Sequence, residues 1–209
     1  FIANSENVRE RIRRHYQRDA EVIYPPVDVS QFKLSDRSGD YFLIVSAFAP
    51  YKRIDLAIEA FNELGERLLI VGDGQDRRRL QALAKSNIEF EGWANPDHLA
   101  KYYESCTALV FPCEEDFGIV PLEAMACGKP VIAYGKGGAL ETVVEGGENR
   151  TGVFFREQTA HSLLEAIKKL RAMTFTPRMI REHALQFDRA IYKSKMKNFI
   201  EKKIAEYFH

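Results

Sequence analysis

The sequence predicts an α/β protein, a parallel sheet covered by helices. Short apolar runs alternate with amphipathic stretches of about ten residues from position 41 to position 170, the order produced by repeated strand–helix–strand units. Two of the runs, YFLIVSA at 41–47 and RLLIV at 67–71, are almost continuously apolar, as strands covered on both faces must be. Glycine or proline marks many of the junctions, including Gly72-Asp73-Gly74, Gly118, Pro121 and Gly128.

FIANS reads as a strand ending in a turn, and Ser5 can cap a basic helix running to Tyr16 with Val8 and Ile12 as its apolar positions. A short strand at 21–24 is stopped by Pro25-Pro26, and 35–40 is a polar loop. After the strand at 41–47, a helix over 53–64 carries Ile54, Ala57, Ile58 and Phe61 on one face. The strand at 67–71 turns through Gly72-Asp73-Gly74 into a helix over 75–85. A strand at 88–90, a helix at 98–105 and a strand at 108–111 follow. An acidic loop at 114–118 then leads to a helix opened by Pro121 and closed by Gly128, the usual asymmetry of helix ends. A strand at 130–133, a Gly-rich turn, a helical turn after Glu141, a strand at 153–155 and a helix at 160–170 complete the alternation. The stretch 189–209 has the pattern of a long helix, with Ile191, Met196, Phe199, Ile200, Ile204 and Phe208 on one stripe. It is expected to pack on its own sheet; the flanking Lys193, Lys195, Lys197, Lys202 and Lys203 make peripheral membrane contact the alternative.

Composition narrows the function classes. The 209 residues suffice for one large domain, and 30 basic against 30 acidic residues leave no overall positive field for nucleic acid. No apolar run approaches the ~18 residues of a membrane span. Cys106, Cys113 and Cys127 are odd in number and lack paired metal spacing, which suits buried thiols in a reducing cytosol. Five scattered histidines show no ligand spacing, so no metal is expected. The chain opens with Phe1, and it is read as part of a longer protein.

In parallel α/β sheets ligands bind at the carboxyl ends of the strands, which directs attention to 48–52, 72–75, 92–96, 112–118 and 134–139. Lys52 directly precedes a helix and can serve a diphosphate as a point charge. Glu115 and Glu123 stand eight positions apart, one on the acidic loop and one in the first turn of the next helix. That helix N-terminus offers free N–H groups and partial positive charge to a phosphate, and Gly118 lets a ligand approach the backbone. A first-turn carboxylate can also accept two hydrogen bonds from a vicinal diol such as a ribose. Each glutamate alone has an ordinary alternative: Glu123 as a complement to the helix dipole, Glu115 as a solvated loop charge. Gly72-Asp73-Gly74 begins a dinucleotide fingerprint but lacks its third glycine, since position 77 is Arg.

The stretch EDFGIVPLE, followed by AMACGKPVIA and GGALETV, resembles the E-x7-E signature of family-four retaining glycosyltransferases. It is most similar to mannosyltransferases of the lipopolysaccharide O-antigen kind. PYKRIDLAIEAF, LLIVGDG, Gly92-Trp93 and the first thirty residues extend the resemblance over most of the chain. The resemblance implies two facing Rossmann-like domains, a GT-B fold, of which this chain is the second, donor-binding one. Residues 1–188 would form the nucleotide-sugar domain and 189–209 a C-terminal helix packing back toward the acceptor domain, which lies outside the chain. It implies that Lys52 stabilises the leaving diphosphate and Glu115 holds the donor sugar. Arg53, Gly72, Gly74 and Trp93 would line the donor site, with the Gly92-Trp93 loop at the base. The backbone of Phe117, Gly118, Ile119 and Val120 would hold the sugar, and Glu123 the ribose. The implied reaction is retaining transfer of mannose from GDP-mannose to a saccharide or lipid-linked acceptor, with no cofactor, in the cytoplasm or peripherally at the inner membrane face. The isolated chain would bind donor without transferring it. One residue departs from the family pattern: Ala47 stands where an Arg is usual, five positions before Lys52. Arg53 and Lys136 are the candidate substitutes, and a non-catalytic nucleotide-binding module is the alternative reading.

Overall fold

The computed structural model describes residues 1–37 and 39–208; Ser38 of the predicted 35–40 loop and His209 of the predicted last helix lie outside the described residues. Strands β1 (Ile2–Ala3) and β2 (Glu21–Val22) pair in parallel as a small separate sheet. The main sheet contains β3 (Tyr41–Val45), β4 (Arg67–Val71), β5 (Ile88–Glu91), β6 (Leu109–Phe111), β7 (Val131–Tyr134) and β8 (Gly152–Phe155), all parallel, in the order β5-β4-β3-β6-β7-β8. Counted from β3 this is 3-2-1-4-5-6, the doubly wound Rossmann order. The order reverses between β3 and β6, whose ladder has the single register pair Leu43↔Leu109. Residues of β3 alternate between two apolar layers: Phe42 and Ile44 join one and Leu43 the other, each at most 2% exposed. Burial on both faces explains the unbroken apolar run.

The helices are α1 (Glu6–Tyr16), α2 (Ile54–Leu64), α3 (Arg77–Leu83), α4 (Pro96–Ser105), α5 (Ile119–Ala126), α6 (Ala139–Thr142), α7 (Ala160–Arg171), α8 (Pro177–Leu185) and α9 (Arg189–Phe208); α2, α3 and α7 pack on one face of the main sheet and α4, α5, α6 and α8 on the other. Ser5 caps α1 as expected, its hydroxyl accepting from the Val8 N–H at 3.0 Å. Helix α4 begins earlier than predicted because Asn95 accepts from the His98 N–H at 2.9 Å and Pro96 takes the first position. Helix α3 is shorter than predicted. The residues before it are held by the β3 exit instead: Phe48 N–H donates to the Asp73 carbonyl at 2.8 Å and Asp76 N–H to the Phe48 carbonyl at 3.2 Å. Helix α5 starts at Ile119 rather than Pro121. Gly118, at φ 88°, makes the left-handed cap, and Pro121 sits in the first turn, where its missing N–H is not needed.

Helix α8 lies in a stretch the sequence pattern left unassigned. It is tied down by Arg181, whose guanidinium donates to the carbonyls of Phe32 (2.8 Å) and Ala126. Helix α9 corrects the expectation that it packs on its own sheet. None of its residues is buried, and Ile200 and Ile204 of the stripe are about half exposed. Among the described residues no helix is long and apolar enough to cross a membrane.

His183 of α8 gives the fold a pH dependence. Its Nε2–H donates to the Thr142 carbonyl at 2.8 Å, its ring packs against Phe187, and burial holds its pKa below the usual 6.5. The unfolded chain therefore binds a proton that the folded chain resists. The associated stability is full above about pH 6.5 and is lost as pH falls through that value toward the depressed one. Thermal melts should show a steeper loss between pH 7 and pH 5 in the wild type than in His183→Gln; parallel curves would remove His183 from the acid response.

Candidate functional site

The reversal of strand order opens a crevice at the carboxyl ends of β3 and β6. A cavity of about 440 Å³ occupies it, within the range of small-molecule sites. Its walls are the β3 exit at 45–47, Lys52, Phe111, the loop and first helical turn at 115–120, and Asn4 and Pro25 from the N-terminal segment. The elements argue locally for this arrangement. Residues 50–52 form one turn of 3-10 helix ending at Arg53, whose φ of 52° breaks the chain direction before α2. Lys52 is thereby held at the mouth with its side chain 14% exposed.

The acidic loop is zipped to the turn after β7. Gly138 N–H donates to the Glu115 carbonyl at 2.8 Å, and Glu115 and Gly137 form a parallel bridge. The approach is too close for side chains: a Cβ on Gly138 would lie 2.2 Å from the Phe117 Cα and 2.5 Å from its carbonyl oxygen. The Phe117 ring is buried and stacks on Tyr24 with centroids 5.2 Å apart, so this residue turns its backbone rather than its ring to the cavity. Behind Gly118 the first N–H groups of α5 have no intrahelical partner and face the same crevice.

Each of three consecutive carboxylates on this loop takes one cation from a different part of the chain. Glu114 pairs with Lys136 of the β7 exit at 3.1 Å. Glu115 pairs with Lys52. Asp116 is held two-pronged by Arg11 of α1, at 2.7 and 3.1 Å. The N-terminus of α1 is in turn anchored by Glu141, whose two carboxylate oxygens accept from the N–H groups of Glu6 (2.7 Å) and Asn7 (2.9 Å). Arg11, Asp116 and Glu141 escaped the sequence reading because their partners are 105 and 135 positions away, beyond any local pattern. Asp116 lies inside the acidic loop, which was its one visible signal.

The predicted site residues divide. Lys52, Glu115, Phe117, Gly118, Ile119 and Val120 all line the 440 Å³ cavity. Ala47 lines it too, presenting a methyl group where the resembled family has a guanidinium. Arg53 lines an adjoining cavity of about 400 Å³, with its guanidinium 3.4 Å from both Asp55 and Gln158. Lys136 is on Glu114. Gly72 and Gly74 are explained by the backbone they touch. At φ 136° and 157°, they lie so close to the β3 exit that a Cβ would be 1.9 Å from the Ser46 carbonyl oxygen and 2.5 Å from that of Phe48. Trp93 stands 81% exposed beyond β5, two strands from β3 and so roughly 10 Å across the sheet. Glu123 does not line the cavity. Its carboxylate accepts from the buried Tyr103 hydroxyl at 2.6 Å, and burial raises its pKa, with the Tyr103 bond opposing. All three cysteines are buried and free, and burial pushes the Cys113 thiol, beside Glu115, up to about 11. It stays protonated at neutral pH and is no nucleophile.

Residues 28–187 match the family model described as glycosyl transferases group 1. An uncharacterized glycosyltransferase of Methanocaldococcus jannaschii is 30% identical over 175 residues, covering 81% of this chain and 49% of its own. The human alpha-1,3/1,6-mannosyltransferase ALG2 is 32% identical over 186 residues, covering 72% of this chain and 44% of its own. The chain thus spans about half the length of these curated relatives. Among solved structures, Anabaena HepE in complex with UDP and glucose superposes with a TM-score of 0.84 at 21% identity, over 96% of this chain and 62% of that one, a likeness of fold. The parallel sheet, the helices on both its faces and the GT-B neighbours agree, and the match over 28–187 decides it: the chain belongs to the glycosyl transferases group 1 family.

Proposed function

We propose that the chain is the donor-binding part of a retaining hexosyltransferase, taking mannose from GDP-mannose to a saccharide or lipid-linked acceptor. One observation carries the reading. The Lys52–Glu115 pair faces the N-terminus of α5 across a cavity at the point where the strand order reverses. A diphosphate there meets an ammonium and the N–H groups of Ile119 and Val120, which stabilise the negative charge that grows as the glycosidic bond breaks. Binding moves the Lys52 ammonium from the carboxylate to the phosphates and frees Glu115 for a sugar hydroxyl. The backbone at 117–120 walls the sugar, and Glu123 reaches the ribose diol by exchanging its Tyr103 bond. With attack on the face the diphosphate leaves, the chain's own task is electrostatic. Mannose is supported by the activity named for ALG2, and the HepE complex makes UDP the competing nucleotide. Cytoplasmic placement, with peripheral membrane contact through the exposed lysines of α9, belongs to the same reading.

Calorimetric titration with GDP, UDP and ADP, with and without EDTA, tests it. The expected result is binding of one diphosphate, GDP, unaffected by EDTA. A strict magnesium requirement would remove the charge role assigned to Lys52, and no binding of any diphosphate would overturn the reading.

A further inference from the structure

Among the described residues, the diphosphate subsite, as assigned above, has one cation on its own wall. Lys52 lines the cavity, and Ala47 contributes a methyl group. Lys136 and Arg53 do not line it. Lys136 is held by Glu114 at the β7 exit, and Arg53 faces Asp55 and Gln158. Arg11 is placed differently. Its partner, Asp116, is itself a wall residue of the cavity and of the adjoining 400 Å³ space that Arg11 lines. The two side chains are 51% and 49% exposed, so the pair is cheap to break. Helix α1, which carries Arg11, is fixed against the site by the two hydrogen bonds from its first turn to Glu141, and Asn4 just before it lies in the cavity wall. The long side chain thus extends from an anchored helix, and its partner Asp116 belongs to the walls of both spaces.

Resting on the donor-site reading, we propose that Arg11 is the second cation of the diphosphate subsite, and that Asp116 holds it in reserve until a nucleoside diphosphate displaces the carboxylate. The three acidic residues of the loop then act as stand-ins for the ligand: each keeps a cation at the rim, and two of them, Glu115 and Asp116, release theirs into the cavity. Guanidinium suits this exchange, because its fork matches a phosphate as well as it matches a carboxylate.

The proposal predicts opposite signs for two variants of one ion pair. Arg11→Ala should lower affinity for the nucleoside diphosphate roughly tenfold and leave affinity for the nucleoside unchanged, while Arg11→Lys should recover part of the loss. Asp116→Asn should raise diphosphate affinity severalfold, because the ligand no longer competes with a carboxylate. A purely structural clamp between α1 and the loop would make both variants move the same way, with nucleoside affinity falling too. That pattern would overturn the proposal while leaving the donor-site reading intact, provided the wild type binds a diphosphate. A wild type that binds none overturns both. Should Arg11→Ala fail to fold, Asp116→Asn decides alone: a rise supports the assignment and a fall overturns it.

Discussion

Lys52→Ala should cost the protein most of its affinity for a nucleoside diphosphate while leaving the nucleoside unaffected. Two effects add. At about 4 Å and an effective dielectric near 20, a unit charge pair is worth about 4 kcal/mol before desolvation, and a net third of that is about tenfold in affinity. The second effect comes from Glu115. With Lys52 present its carboxylate is paired; without it, a bare negative charge faces the phosphates. The combined loss should be on the order of 30-fold or more. Glu115→Gln should do the reverse for the free diphosphate, since Lys52 is then released in advance, yet it should weaken the sugar-bearing donor. The double variant Lys52→Ala, Glu115→Gln should bind the free diphosphate better than Lys52→Ala alone. Calorimetry on the four proteins reads the cycle directly. Equal losses for nucleoside and diphosphate in Lys52→Ala would place the lysine away from the phosphates.

Gly138→Ala should abolish diphosphate binding and destabilise the fold together. The new Cβ would meet backbone atoms, the Phe117 Cα and carbonyl oxygen and the Asp116 carbonyl oxygen at 2.6 Å, and none of these can rotate aside. Either the 114–118 loop or the 135–138 turn must retreat, breaking the Gly138–Glu115 bond and moving Glu115 to Gly118 out of the cavity wall. Overpacking of this sort costs about 1–3 kcal/mol, and the displaced loop supplies residues 115–118 of the cavity wall. Diphosphate binding should become undetectable, and the melting temperature should fall by several degrees. As a control, Gly146→Ala, at a position where a Cβ meets nothing within 4 Å, should change neither. Normal binding by Gly138→Ala would show that the zipped loop is not needed.

Local patterns in the sequence were enough to reveal the sheet and the loops that line the cavity. Both-face burial writes itself as continuous apolar runs, and glycine and proline mark the turns, so the order of the sheet's strands and helices follows from residues such as Phe42, Leu43, Gly72 and Pro121. Lys52, Glu115 and 117–120 are read from loops whose position after a strand is visible. What stayed hidden depends on long-range pairing. Nothing near Arg11 says that it will meet Asp116, nothing near Glu141 says that it will anchor α1, and the Tyr103 hydroxyl on Glu123 comes from a different helix. The stripe of α9 correctly gave a helix but not its packing, since Lys195 and Lys203 interrupt its apolar face. Helix α8 was missed although Pro177 marks its first turn.

The single register pair between β3 and β6 has a consequence for the order in which the protein assembles. Within one half of the sheet, Leu43 finds Leu69 at a separation of 69 − 43 = 26 residues, whereas across the reversal it finds Leu109 at 109 − 43 = 66. Loop-closure entropy makes the longer closure costlier by about 0.8 kcal/mol, and five register pairs reward the shorter one where one rewards the longer. The two halves are therefore expected to form first, with their seam closing after them. The 440 Å³ cavity sits on that seam, so it has no walls to bind with until the topology of the whole sheet is complete.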